Sequence, residues 1–143
     1  MSTSFRRILS GHGSVGLTSE VPVYTVDAIK GLEFELSEEL GNNVLMQRAG
    51  LALAQFSLAI SPHARSIWIP VGAGNNAGDG FEAAMHLRLW GKEPIVTMVN
   101  SDAKWSPETA ASLQNAIEAG VNFSHLGDHE IDLCIDAVFG TGL

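Results

Sequence analysis

Apolar residues at Ile29, Leu32, Leu36 and Leu40 recur with the spacing of one helix face, behind Thr25, which can cap the first turn, and Asp27 within it. Gly41 closes that pattern. Asn43 opens a second helical run, which predicts Leu45, Ala49, Ala52, Phe56 and Ala59 on its buried face and an end at Ser61-Pro62. The period then changes. Ile67 to Val71 is a short apolar, partly β-branched run bounded by glycine, too short for a stable helix, and reads as a buried parallel strand. Phe81, Ala84, Leu87 and Trp90 predict a helix closed by Gly91, and Pro94 to Val99 a second strand. Ser106-Pro107-Glu108 starts a further helix with proline at its first position, and Ala110, Leu113 and Ile117 form its expected buried face before Gly120. Val121 to Phe123 and Ile131 to Ile135 predict a third and a fourth strand, the last delivering Asp136 to its carboxyl end.

Strands alternating with helices indicate an α/β sandwich with a mostly parallel sheet and right-handed crossovers. In such sheets ligands bind outside the carboxyl ends of the strands, where the strand order reverses. If the first and fourth strands are neighbours, the segments Gly72 to Gly80 and Asp136 to Leu143 line one crevice. Residues 1–22 lack apolar periodicity, carry Arg6 and Arg7, and are expected to form a mobile extension ahead of a single domain over 23–143.

The stretch from Ile67 to Gly80 carries the chemistry. Gly72, Gly74, Gly78 and Gly80, interleaved with Asn75, Asn76 and Asp79, allow left-handed backbone and close approach to a ligand. A helix start directly after such a turn offers unpaired N–H groups and a partial positive charge to an anion. The Walker loop is excluded, because no Gly-Lys-Ser/Thr ending is present. Gly72, Gly74 and Ala77 satisfy the dinucleotide fingerprint Gly-x-Gly-x-x-Gly/Ala, with Asp102 as a ribose ligand, so a Rossmann dehydrogenase remains open. On the residues alone, Asn75 and Asn76 could equally serve left-handed angles, Asp79 could cap a helix and Asp136 could form a turn.

Composition narrows the partners. A hydrophobic content of 45% over 143 residues suffices for one core, and the formal charge of −8 argues against nucleic acid and anionic membranes. An anionic ligand must then be held by local donors or a bound cation. The single cysteine, Cys134, lies in an apolar run and reads as a small buried hydrophobe in a reducing compartment. No run approaches the ~20 apolar residues of a membrane span and the start lacks a signal-peptide core, so a cytoplasmic location is expected. The five histidines have no cysteine cluster beside them, and the His125 and His129 pair surrounds a glycine turn, which is poor support for zinc.

Three motifs in order are more specific than any one of them. Leu45-Met46-Gln47-Arg48-Ala49-Gly50, Gly74-Asn75-Asn76-Ala77-Gly78-Asp79-Gly80 and Asp136-Ala137-Val138-Phe139-Gly140-Thr141-Gly142-Leu143 together resemble the NAD(P)H-hydrate epimerase family, the YjeF N-terminal domain. The resemblance spans Val23 to Leu143. It implies a three-layer αβα Rossmann-like sandwich that continues to a further strand ending in Asp-x-Pro-Ser-Gly. That segment is not in this sequence, so the domain is expected to be incomplete at its C-terminal side, with an exposed and aggregation-prone strand edge. Bacterial relatives often fuse the domain to an ADP/ATP-dependent dehydratase, so a fused or separate dehydratase, and a homodimer, are expected partners.

The resemblance also implies the ligand: NADH or NADPH hydrated at C6 of the nicotinamide ring, whose R and S forms the epimerase interconverts in metabolite repair. Substrate contacts map to Asn75, Asn76, Ala77, Gly78 and Asp79 and to Gly140, Thr141, Gly142 and Leu143, and a potassium ion maps to Asn76 and Asp136. In that family the second helix packs beside the nucleotide turn, which leaves two readings equally open for Gln47 and Arg48, facing the ligand or ordinary solvated helix polars. Epimerisation at C6 needs a group that gives and takes a proton, plus negative potential near the iminium that forms. Asp79, the only ionisable side chain in the central turn, is the expected catalytic group. Two further readings remain: a non-catalytic nucleotide-binding or dimerisation module, and the dehydrogenase.

Overall fold

The computed structural model describes residues 24–41, 43–100, 104–125, 127 and 129–140. It divides into two compact units, Met1–Gly41 and Asn42–Leu143. Within the first, α1 (Val26–Leu40) begins where expected, the Thr25 hydroxyl accepting from the Ala28 N–H, and Gly41 ends it with φ +88°. Residues 1–22 lie outside the described residues.

The second unit is built as α2 (Val44–Ile60), β1 (Ser66–Val71), α3 (Asn75–Leu89), β2 (Glu93–Met98), α4 (Pro107–Glu118), β3 (Asn122–Phe123) and β4 (Leu133–Cys134). All strand pairs are parallel, in the order β3-β2-β1-β4. The α/β class, the parallel sheet and the pairing of the first strand with the fourth therefore follow the pattern of the sequence. Because β2 and β3 are added on one side of β1 and β4 on the other, the order reverses between β1 and β4. Among the described residues no helix is long and apolar enough to cross a membrane.

β1 is central because it can be buried on both faces, and its alternation sets the layers. Ile67, Ile69 and Val71 are fully buried, and Val96, in register with Ile69, joins them beneath α3. Phe81, Ala84 and Leu87 of α3 complete this core. Each fully buried Ile, Leu or Phe contributes about 1.5–3 kcal/mol by leaving water. Pro70 sits in this central strand because its missing N–H falls on the side facing β4, where pairing is short. The carbonyls of Trp68 and Pro70 accept from Ile135 and Ala137 on that side, while the Val71 carbonyl accepts from Val99 on the β2 side.

α3 starts at Asn75, earlier than the apolar pattern implied, so Asn75 to Gly80 are helical and Asp79 does not cap the helix. Gly78 and Gly80 consequently serve packing. A Cβ at Gly78 would meet the Met46 sulfur at 2.3 Å, and one at Gly80 the Ala137 Cβ at 2.7 Å. The Asn75–Gly80 segment of α3 is thus pressed against α2 on one side and the strand below.

The same close approach overturns two expected helix faces. α2 buries Met46, Gly50, Ala54 and Ser57, while Ala49, Ala52, Phe56 and Ala59 are exposed. A Cβ at Gly50 would lie 3.0 Å from the Ala83 nitrogen, so α2 meets α3 through its smallest residues rather than its largest. α4 likewise buries Thr109, Ser112 and Ala116 and leaves Ala110 and Ile117 exposed, with Leu113 half-buried. Trp90 is the C-cap of α3 and 42% exposed, its ring 5.7 Å from that of His86.

Cys134 is also corrected: it is exposed. Side chains alternate along β4 and its extended continuation, so with Ile135 and Ala137 buried, Cys134 and Asp136 project from the opposite face.

Candidate functional site

Two chain segments leave the carboxyl ends of β1 and β4 side by side, at the reversal of strand order. They are in backbone contact: the Gly72 N–H donates to the Ala137 carbonyl at 3.1 Å, and a Cβ on Gly72 would fall 2.1 Å from the Val138 oxygen. Only glycine permits that approach. Gly74, with φ +90°, turns the chain into α3 as its N-cap and supplies no side-chain cap. The first-turn N–H groups of Asn75, Asn76 and Ala77 therefore have no partner within the helix, and the helix dipole adds partial positive charge there.

Side chains reinforce this junction. The Asn76 Nδ2 donates to the Phe139 carbonyl at 3.0 Å, and a Cβ on Gly140 would lie 3.3 Å from the Asn76 Cβ. Asp136, exposed, accepts from the Val138 N–H through Oδ1 at 2.9 Å, which folds the segment after β4 into a tight turn. The two sequence motifs are thus physically joined, with Asn76 tied three residues beyond Asp136. Asp79 stands in the second turn of α3 and is half-buried. Thr141, Gly142 and Leu143 lie outside the described residues, as does Asp102.

A third segment closes the other side of the β1 turn. The Trp105 Nε1 donates to the Gly72 carbonyl at 3.4 Å and the Thr109 hydroxyl to the Gly74 carbonyl at 3.5 Å. The Trp105 ring meets Phe81 edge-on, centroids 5.4 Å apart at 77°. Ser106 caps α4, its hydroxyl accepting from the Thr109 N–H at 3.2 Å. Sequence reasoning missed Trp105; the only signal was an aromatic residue directly before the Ser-Pro helix start.

The family profile described as YjeF-related protein N-terminus matches residues 42–143, which contain both joined segments. The chain belongs to this family. Among similar proteins, the bifunctional NAD(P)H-hydrate repair enzyme Nnr of Thermofilum pendens is 29% identical over 133 residues, 85% of this chain and 25% of that protein. The NAD(P)H-hydrate epimerase of Rhodopirellula baltica is 26% identical over 132 residues, 86% of this chain and 54% of that protein. The crystal structure of yeast ynu0 superposes with a TM-score of 0.68 at 22% identity, covering 84% of this chain and 57% of the yeast chain, and so shares the fold. The chain spans about half the length of the epimerase relative and about a quarter of the bifunctional one.

Among the described residues, no three of His, Cys, Asp and Glu converge, so the arrangement does not suit a transition metal. The Asn76 amide spends its nitrogen on Phe139 and keeps its oxygen, and Asp136 spends one carboxylate oxygen on Val138. Oxygen donors with a single formal charge fit a hard monovalent ion.

Although Cys134 is exposed, partial desolvation by its neighbours, and then the Asp136 carboxylate nearby, push its thiol above the ordinary range. Asp136 thus acts on its open face as a negative charge.

Proposed function

We propose that this chain carries the epimerase chemistry of metabolite repair, interconverting the R and S forms of NADH or NADPH hydrated at nicotinamide C6. The observation that carries the reading is the Asn76–Phe139 hydrogen bond, which unites the two glycine-rich segments at the reversal point of the sheet within a YjeF-family chain. The names of the relatives, NAD(P)H-hydrate epimerase and repair enzyme, support the substrate class.

In this reading, N–H groups of Asn75, Asn76 and Ala77 meet the dinucleotide phosphates, Gly78 lets α2 pack close beneath that turn, and Gly140, Thr141, Gly142 and Leu143 are the further substrate contacts. Asn76 and Asp136 would hold the potassium ion, which would offset the repulsion between Asp136 and the phosphates. Asp79 is the proton-transfer group. It protonates the C6 hydroxyl; the C–O bond breaks, water departs and the ring nitrogen lone pair forms an iminium. Water then adds from the opposite face and returns its proton to the Asp79 carboxylate, so the C6 configuration inverts with no net change in composition. A cytoplasmic location and a dehydratase, fused or separate, complete the repair role, the bifunctional relative being the support for the latter.

The deciding experiment follows R and S hydrated NADH by chromatography with the intact chain in potassium buffer. Interconversion well above the spontaneous rate, lost in Asp79→Asn, is expected. A spontaneous rate with wild-type protein would refute catalysis by this chain, and an undiminished rate in Asp79→Asn would remove Asp79 from the mechanism.

A further inference from the structure

We infer that Trp105, with Thr109 assisting, is a positioning residue that sets the anion-binding amides of the β1–α3 turn. The inference rests on the dinucleotide reading above. A peptide unit is planar and trans, so the N–H of one residue points opposite to the carbonyl of the residue before it. The indole Nε1 of Trp105 holds the Gly72 carbonyl toward α4 at 3.4 Å. The Ala73 N–H is then directed away from α4. The Thr109 hydroxyl holds the Gly74 carbonyl from the same side at 3.5 Å, which directs the Asn75 N–H the same way. Two alternate carbonyls drawn toward α4 leave the Ala73 and Asn75 N–H groups turned to the other side, where an anion can be met by both.

The two contacts differ in support. Trp105 is half-buried and fixed edge-on against Phe81, which is fully buried in the core, so its indole N–H has a defined direction. Thr109 is fully buried, and its hydroxyl also lies 3.2 Å from that of Ser106, so it is shared between the α4 cap and the Gly74 carbonyl. Both contacts are long for neutral hydrogen bonds, and Trp105 is the principal one. Gly72 is the residue where this control is needed: its N–H is spent on Ala137, just beyond β4, while its carbonyl is drawn to the opposite side, so its peptide planes set the turn.

The test uses the intact chain with ADP-ribose, which carries the pyrophosphate and cannot be epimerised, read by calorimetry alongside the thermal midpoint. Trp105→Phe keeps the ring on Phe81 and removes the donor; Thr109→Val removes the hydroxyl, and Thr109→Ser restores it. Trp105→Phe is expected to weaken ADP-ribose binding up to about tenfold, as loss of one aligned donor allows. Thr109→Val should weaken it less, and Thr109→Ser should bind like wild type. With hydrated NADH, the loss should fall on KM more than on kcat. Unchanged ADP-ribose binding in both Trp105→Phe and Thr109→Val would overturn the inference while leaving the dinucleotide reading intact. So would weakening that follows the thermal midpoint and is not restored by Thr109→Ser. Wild-type protein that does not bind ADP-ribose would instead overturn the dinucleotide reading and this inference with it. Should Trp105→Phe fail to fold, the Thr109 pair decides by the same criteria.

Discussion

The side chain of Asn76 donates to the backbone carbonyl of Phe139 at 3.0 Å, tying the first turn of α3 to the segment that follows β4. Those residues are 63 positions apart in the chain, and the bond makes one wall of two motifs. In Asn76→Asp the donor is lost and a carboxylate oxygen faces the Phe139 carbonyl. The expected cost is about 1 kcal/mol of stability at neutral pH, with weaker ADP-ribose binding, read from urea midpoints and calorimetry. Unchanged stability and binding would show that the tether is not maintained in solution.

Gly72 faces a backbone oxygen rather than a side chain. A methyl placed there meets the Val138 carbonyl at 2.1 Å, and a backbone atom in a turn pinned by the Asp136 carboxylate cannot step aside as a side-chain end can. Gly72→Ala should therefore part the two segments, costing about 1–3 kcal/mol as other overpacked sites do and abolishing measurable ADP-ribose affinity. Retained affinity in the folded variant would show that the two segments need not touch to form the site.

At the amino end of β1, the Asp132 Oδ2 accepts from the Arg65 and Ser66 N–H groups at 2.8 and 2.9 Å. These bonds hold its carboxyl below the usual carboxylate range, against a smaller desolvation effect, with the Lys92 charge helping. A depressed folded value contributes stability that is present above the unfolded carboxylate value of about 3.9 and is lost as pH falls through the folded one. Wild type should therefore exceed Asp132→Asn in stability at neutral pH, and the gap should close in the acid range below the unfolded value. Urea midpoints across that range measure it; a gap independent of pH would contradict the assignment.

Cys134 reports on Asp136 without any need for turnover. Because the carboxylate helps push the thiol up, Asp136→Asn should lower it, raise the thiolate fraction at mildly alkaline pH and speed alkylation by iodoacetamide. Potassium held by Asp136 should act in the same direction in wild type, and replacing it by a bulky organic cation should slow alkylation. Equal rates in both salts, with the Asp136→Asn effect intact, would separate the ion from this carboxylate.

Much of this was legible in the residues, for identifiable reasons. Thr25, Ser106-Pro107, Gly41 and Gly91 mark helix ends through local chemistry, and Ile67 to Val71 could be buried only as a strand. The motif pairing was legible because both glycine-rich segments follow strands, and parallel strands deliver such segments to one edge. What misled was the preference for large side chains in choosing buried faces. Gly50, Ala54 and Ser57 on α2, and Ser112 and Ala116 on α4, are buried because small residues let helices approach closely, a gain that no hydrophobicity pattern records. Cys134 was misplaced because an apolar run does not reveal which of its alternate positions faces outward. Trp105 escaped notice because its role depends on a carbonyl 33 residues away.

The central claim is that segments leaving β1 and β4 together form the dinucleotide site, and backbone amide shifts on titration with hydrated NADH in potassium buffer test it most directly. The account predicts that the largest shifts fall jointly on Ala73 to Gly78 and on Asp136 to Gly140, saturating at one affinity. Shifts confined to one of the two segments, or centred on the cavity of about 260 Å³ between Ser66, Arg88, Asn122 and His129, would contradict it.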